Sequence, residues 1–182
     1  MTMSKEVVLI ELEPAVQADA EFARRSDAYL SRALGLAFYI LGDAHEAEDA
    51  TQEAMTRAWK ARRSLRRIES FDAWIDRIVV NSCRERMRHR RNIREVALPE
   101  DTEPEAIDRY GALLARDSVG RALGELTLDQ RTVVILRYWR DLSLEQIAER
   151  LGWPLGTVKS RLHYALGALR ERLERDESEV LR

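Results

Sequence analysis

The chain has little of what most enzymes and secreted proteins depend on. It contains one cysteine, Cys83, so no internal disulfide is available, and no Cys/His cluster has the spacing of a zinc site. No run of about 18 apolar residues occurs, which excludes a membrane-spanning helix and predicts no membrane insertion. The N-terminus lacks a basic stretch followed by an apolar one, so no secretory signal is expected. A reducing, cytoplasmic setting fits these absences. There is no glycine-rich phosphate loop, no nucleophile motif and no metal-ligand set, so neither an enzyme nor a cofactor is expected. His45, His89 and His163 have no partner motif and read as surface side chains. Only 8 glycines and 4 prolines punctuate 182 residues, which favours a mostly helical protein.

Charge is abundant and segregated. The formal net charge is only −2, yet residues 57–94 hold thirteen basic against four acidic side chains. Residues 1–56 are acidic, with eleven carboxylates against four cations, and residues 95–117 carry seven against two. The basic block points to nucleic acid, and the acidic block before it to a basic protein partner.

The periodicity predicts an all-α protein of two small helical domains joined by a flexible acidic linker. Residues 1–20 form an N-terminal extension in which a short strand and a disordered arm are both open. The first domain spans 21–93. Its first helix, about 19–41, presents Phe22, Tyr29, Leu30, Ala33, Leu34, Ala37, Phe38 and Leu41. Asp43 opens a second helix with Glu46 as capping-box partner. Ala47, Ala50, Ala54 and Ala58 share one side of it, and Trp59 anchors its end. Glu46, Asp49, Gln52 and Glu53 share the exposed face, read as a docking surface. A basic loop containing Arg66 and Arg67 follows, and Ser70 caps a third helix. On that helix Arg77, Asn81, Arg84, Arg88 and Arg91 step by 4, 3, 4 and 3 residues. At 100° per residue they fall within an arc of about 80°, a stripe suited to a phosphate backbone.

A linker at 94–117 carries Pro99 and Pro104. The second domain, 118–175, precedes a charged tail at 176–182. Thr127 with Gln130 and Ser143 with Gln146 are capping boxes. Residues 133–139 continue a helix to Trp139. Leu144, Ile147, Ala148 and Leu151 make one apolar face, Gly152 stops that helix, and Pro154 reopens the chain. Val158, Leu162, Leu166, Leu169 and Leu173 then form a seam. This is a helix-turn-helix, whose second helix enters the major groove.

Three motifs together, GDAHEAEDATQEAMTRAW, SFDAWIDRIVVNSCRERMRHRR and LTLDQRTVVILRYWRDLSLEQIAERLGWPLGTVKSRL, resemble the extracytoplasmic-function sigma factors of the sigma-70 family over about residues 20–175. The resemblance implies a factor that directs core RNA polymerase to promoters and assists melting. A stand-alone helix-turn-helix regulator is the alternative. It implies that Asp43, Glu46, Asp49, Gln52 and Glu53 dock on the clamp of the largest polymerase subunit. It assigns Arg66, Arg67, Ser70, Arg77, Asn81, Arg84 and Arg88 to the −10 element, with the loop before the third helix capturing a flipped base. It assigns Thr157, Lys159, Ser160, Arg161 and His163 to the −35 element, the second domain resting on the flap of the second-largest subunit. An anti-sigma factor is a further implied partner. Tyr164 departs from the pattern, since many members carry a basic residue there, and the loop SLRRIES departs from the usual polar-and-aromatic form. No further domain is expected after Arg175. The acidic linker is expected to screen the arginine stripe when the chain is free.

Overall fold

The computed structural model describes residues 5–65, 70–96 and 118–180, with side chains described for 16–65, 70–90 and 118–176. Every regular element among them is helical. Helix α1 (Lys5–Leu41) begins far ahead of the predicted residue 19, so the segment left open between strand and disordered arm is helical from Lys5. Its buried face is Phe22, Tyr29, Ala33, Leu36, Ala37, Ile40 and Leu41. Leu30, predicted to lie inward, is 45% exposed. It sits about 100° around the helix from Tyr29, and Leu36 and Ile40 continue the Tyr29–Ala33 stripe instead.

Helix α2 (Ala44–Ala61) starts as expected, with the Asp43 carboxylate accepting from the Glu46 backbone N–H at 2.8 Å. Ala47, Ala50, Ala54 and Ala58 are at most 1% exposed, and their small side chains let α2 pack closely against both α1 and α3. Trp59 anchors less than expected: it is 43% exposed, with its edge on Phe22 and the Arg62 guanidinium stacked over it at 4.1 Å. A 3-10 turn (Arg62–Ser64) ends this part. Arg66 and Arg67 lie outside the described residues. Helix α3 (Phe71–Val96) buries Phe71, Ile75, Val79, Val80 and Cys83. The predicted linker starts inside α3 by position, and residues 97–117 lie outside the described residues.

The second half contains α4 (Ser118–Glu125), α5 (Leu128–Val134), α6 (Leu144–Leu151) and α7 (Leu155–Val180). Of the three predicted capping boxes, those of Thr127 with Gln130 and Ser143 with Gln146 form, whereas at Asp43 the Glu46 N–H is capped but the Glu46 carboxylate accepts from Arg86 instead of closing the box. After α5 the chain widens into a π-helical turn (Ile135–Trp139), where a plain continuation was predicted. Gly152, at φ +66°, ends α6 in the left-handed conformation that favours glycine. On α7 the fully buried positions are Val158 and Ala165, while Leu166 of the predicted seam is 37% exposed. The tail is also shorter than predicted. Helix α7 runs to Val180, and Asp176, 8% exposed, pairs with Arg121 at 3.0 Å and Arg172 at 2.5 Å.

The two halves share one apolar core. Leu36, Ile75 and Val79 from the first half cluster with Leu136, Leu142, Ile147 and Leu151 from the second. The apolar face of α6 therefore packs on α3 as well as on α7.

Candidate nucleic-acid interface

The stripe of α3 faces the second half. Arg84 donates to Asp129 Oδ1 from Nε at 3.1 Å and from Nη2 at 2.7 Å. Its guanidinium also stands 4.4 Å from the centroid of the Trp153 ring. Arg161 of α7 meets the same two groups, pairing with Asp129 Oδ2 at 2.7 Å and lying 4.0 Å from the Trp153 centroid. Charge-assisted bonds and cation–π stacking thus hold one arginine of each predicted DNA face. Arg77 occupies the open side of Gly152, where an added Cβ would stand 2.0 Å from its Nη2. Asn81 and Arg88 are exposed and line, with Arg84 and Arg161, a cleft of about 1290 Å³ between α3 and the second half. Ser70 is exposed immediately ahead of α3.

Helix α7 begins behind the Gly152 turn. Pro154 O accepts from the backbone N–H of Thr157 at 2.9 Å and of Val158 at 3.2 Å, which fixes its first turn. Lys159, Ser160 and His163 are exposed along it, Thr157 is half-buried, and Val158 is the residue that turns inward. Tyr164 is 67% exposed and touches His163 edge-on, so its side chain has no core role.

The acidic face of α2 is tied to α3. Arg86 donates to Glu46 at 2.6 Å and to Asp49 at 2.8 Å. Arg57 bridges Glu53 and Glu85, and that guanidinium holds the Glu85 carboxyl below its usual range. Asp43 caps α2, and Gln52 is exposed. The five predicted docking residues therefore sit on α2 and its N-cap, but four of them also have structural partners.

Sequence reasoning singled out none of Asp129, Trp153, Arg86, Arg140 or Arg150, and did not remark on Asp76. Asp76 is fully buried and accepts from Tyr29 Oη at 2.8 Å, Arg140 Nη2 at 3.2 Å and Arg150 Nη1 at 2.5 Å. It joins α1 and α3 to both ends of the segment that carries α6. Its signal in the sequence was a carboxylate beside Ile75 on an apolar face, which requires buried donors. Arg131, 8% exposed, is satisfied by the carbonyls of Leu123, Gly124 and Leu126 and, across the halves, by Ile40 O at 2.7 Å. Burial lowers its pKa.

Among the described residues no group of His, Cys, Asp and Glu is placed to hold a metal ion, and no helix is long and apolar enough to cross a membrane.

Two family profiles match the chain: sigma-70 region 2 at residues 26–93 and sigma-70 region 4 at residues 122–171. The ECF RNA polymerase sigma factor SigW of Bacillus subtilis is 31% identical over 172 residues, covering 84% of this chain and 88% of SigW. SigL of Mycobacterium tuberculosis is 35% identical, covering 76% of this chain and 80% of its own. SigE of Mycolicibacterium smegmatis is 36% identical over 84% of this chain, which spans only 61% of SigE. Among solved structures, the sigma factor RpoE in complex with the anti-sigma factor NepR from Bartonella quintana superposes with a TM-score of 0.66 at 25% identity, covering 85% of this chain and 97% of RpoE. CnrH in complex with the cytosolic domain of CnrY gives 0.62 at 26% identity, covering 89% of this chain and 96% of that one.

Proposed function

Because the chain belongs to the extracytoplasmic-function sigma factors of the sigma-70 family, non-enzymatic proteins that direct RNA polymerase to promoters, we propose a division of that work among its surfaces. Helix α7 reads the −35 element through Thr157, Lys159, Ser160, Arg161 and His163. Helix α3 holds the −10 element through Arg77, Asn81, Arg84 and Arg88. The segment ahead of α3, with Arg66, Arg67 and Ser70, receives a base flipped from the nontemplate strand. Unstacking one base costs a few kcal/mol, so a pocket that retains it captures the melted state and selects sequence together. Helix α2 docks on the clamp of the largest subunit through Asp43, Glu46, Asp49, Gln52 and Glu53, and the second half rests on the flap of the second-largest. A third partner is an anti-sigma factor, a reading supported by the complexes of RpoE with the anti-sigma factor NepR and of CnrH with the cytosolic domain of CnrY, and the location is the cytoplasm, where the polymerase works.

The observation that carries this reading is the pairing of two donor-rich faces in one chain. One is a single stripe on α3, and the other is the start of a helix fixed by a left-handed glycine turn. Arginines on phosphates fix register, while Asn81 and the α7 side chains meet base edges. Transcription reconstituted from core polymerase and a promoter selected by the holoenzyme tests it. The chain stimulates initiation, Asn81→Ala and Lys159→Ala each lower it, and salt weakens it steeply. Specific binding and regulation without polymerase would instead favour the stand-alone regulator. For docking, Gln52→Arg is the cleaner probe, because it removes no intramolecular ion pair while placing a cation on the acidic face.

A further inference from the structure

We propose that Tyr164 sets part of the promoter specificity of this chain, its ring packing on the C5-methyl group of a thymine in the −35 element; this rests on the assignment of α7 to that element. Tyr164 is 67% exposed, the most exposed large hydrophobic side chain among the described residues. A single exposed aromatic calls for no function by itself. The place of this one does. At 100° per residue, Lys159, His163, Ser160 and Tyr164 fall within an arc of about 140° on α7, while the fully buried Val158 and Ala165 lie on the opposite side. Tyr164 therefore stands on the face that α7 turns away from its own core, among the polar side chains assigned to base edges. Its ring meets His163 edge-on, at 5.6 Å between centroids and 69° between planes, which steadies the ring without burying it. Gly167 lies on the same face, about 60° around the helix from Tyr164. A Cβ there would meet nothing within 4 Å, so no contact inside the chain calls for glycine, although glycine weakens a helix. The bare backbone lets a groove wall come close beside the ring.

The chemistry of the ring limits what Tyr164 can read. Amide and guanidinium side chains identify bases by paired hydrogen bonds, whereas a phenol offers a plate of apolar carbon and one hydroxyl. The thymine methyl is the apolar feature that a base pair presents in the major groove, so it is what the ring distinguishes. Lys159, Ser160, Arg161 and His163 act through polar atoms, and the ring adds a kind of contact they do not make. Covering one methyl group is worth about fourfold in affinity. A hydroxyl bonded to phosphate would instead add affinity without reading sequence.

The reconstituted holoenzyme is offered promoters randomised over the −35 element. The parent and Tyr164→Phe enrich thymine at one base pair, and Tyr164→Ala relaxes that pair alone. Tyr164→Arg moves the enrichment there to guanine, whose O6 and N7 a guanidinium meets. Because the side chain is exposed, these variants keep the core, which native circular dichroism checks. In the selected promoter, deoxyuridine in place of that thymine removes only the methyl group. It weakens promoter binding by the parent holoenzyme about fourfold and leaves binding by Tyr164→Ala as it was. Equal response of the parent and the alanine variant to deoxyuridine overturns the proposal. So does an alanine variant that relaxes no pair, and so does loss of the thymine preference in Tyr164→Phe, which puts the contact in the hydroxyl. Lys159→Ala and Ser160→Ala in the same selection test the underlying assignment separately. If they and Tyr164→Ala all leave the −35 preference unchanged, α7 does not read that element; if those two change it while Tyr164→Ala does not, only the role of Tyr164 is wrong.

Discussion

Cys83 lies fully buried on the inner face of α3, and burial pushes its thiol up to about 12 from 9.0. The unfolded chain therefore loses this proton first. Above pH 9 the folded state binds more protons than the unfolded one, so stability is intact below that value and declines as pH rises toward 12. Tyr29, raised by burial and then by Asp76, adds to the same alkaline decline. Urea midpoints at pH 8 and pH 10 should fall for the parent, and the fall should shrink in Cys83→Ala. The thiol should resist iodoacetamide in the native protein and react after unfolding, because the thiolate is the nucleophile. At this scale the sequence showed only that Cys83 has no disulfide partner, and the inertness expected of its thiol follows from the packing around it.

Among the elements, α6 with its turn and α7 were the most legible, because their signals are local. Ser143 accepts from the Gln146 N–H at 3.2 Å while Gln146 Oε1 accepts from the Ser143 N–H at 2.8 Å. Both bonds close within one turn, so residue type and spacing suffice to foresee them. Ser143→Ala should cost about 1 kcal/mol of unfolding free energy, read from urea titration, with the Gly152 turn unchanged. The rotation of α1 was less legible. Leu30 and Leu36 are equally apolar, and the partner helices decide which is covered. Leu166 yielded to Ala165 on α7 for a related reason: Ala165 is the position that turns onto Leu126 and Val134 of the neighbouring elements. The spacing put the acidic side chains of α2 on one side of the helix, while their ties to α3, from Arg86 to Glu46 and Asp49 and through Arg57 to Glu85, span 28 to 40 residues.

For the whole molecule, Asp76 is the polar centre of the contact between halves. Its two carboxylate oxygens serve Tyr29, Arg140 and Arg150, and Arg140 also donates to Arg32 O at 2.9 Å. Removing the carboxylate leaves buried cations without their counter-charge. Asp76→Ala should therefore cost about 3 kcal/mol or more in urea unfolding. Because the apolar core is continuous across the halves, tryptophan fluorescence and circular dichroism of the parent should report one coincident transition. The variant should split it, the second half loosening first.

The sequence by itself determined the helical class, the capping boxes at Thr127 and Ser143, the glycine stop, the arginine stripe and the family. Each of these depends on neighbours within a turn or two, or on residue order along the chain. Only the tertiary structure decided that the two halves share a core, that Arg84 of the stripe meets Asp129 and Trp153, and that Asp76 has three donors. Those contacts join residues 45 to 74 positions apart. Spacing along one helix sets which side chains share a face; the packing of separate helices sets what that face meets.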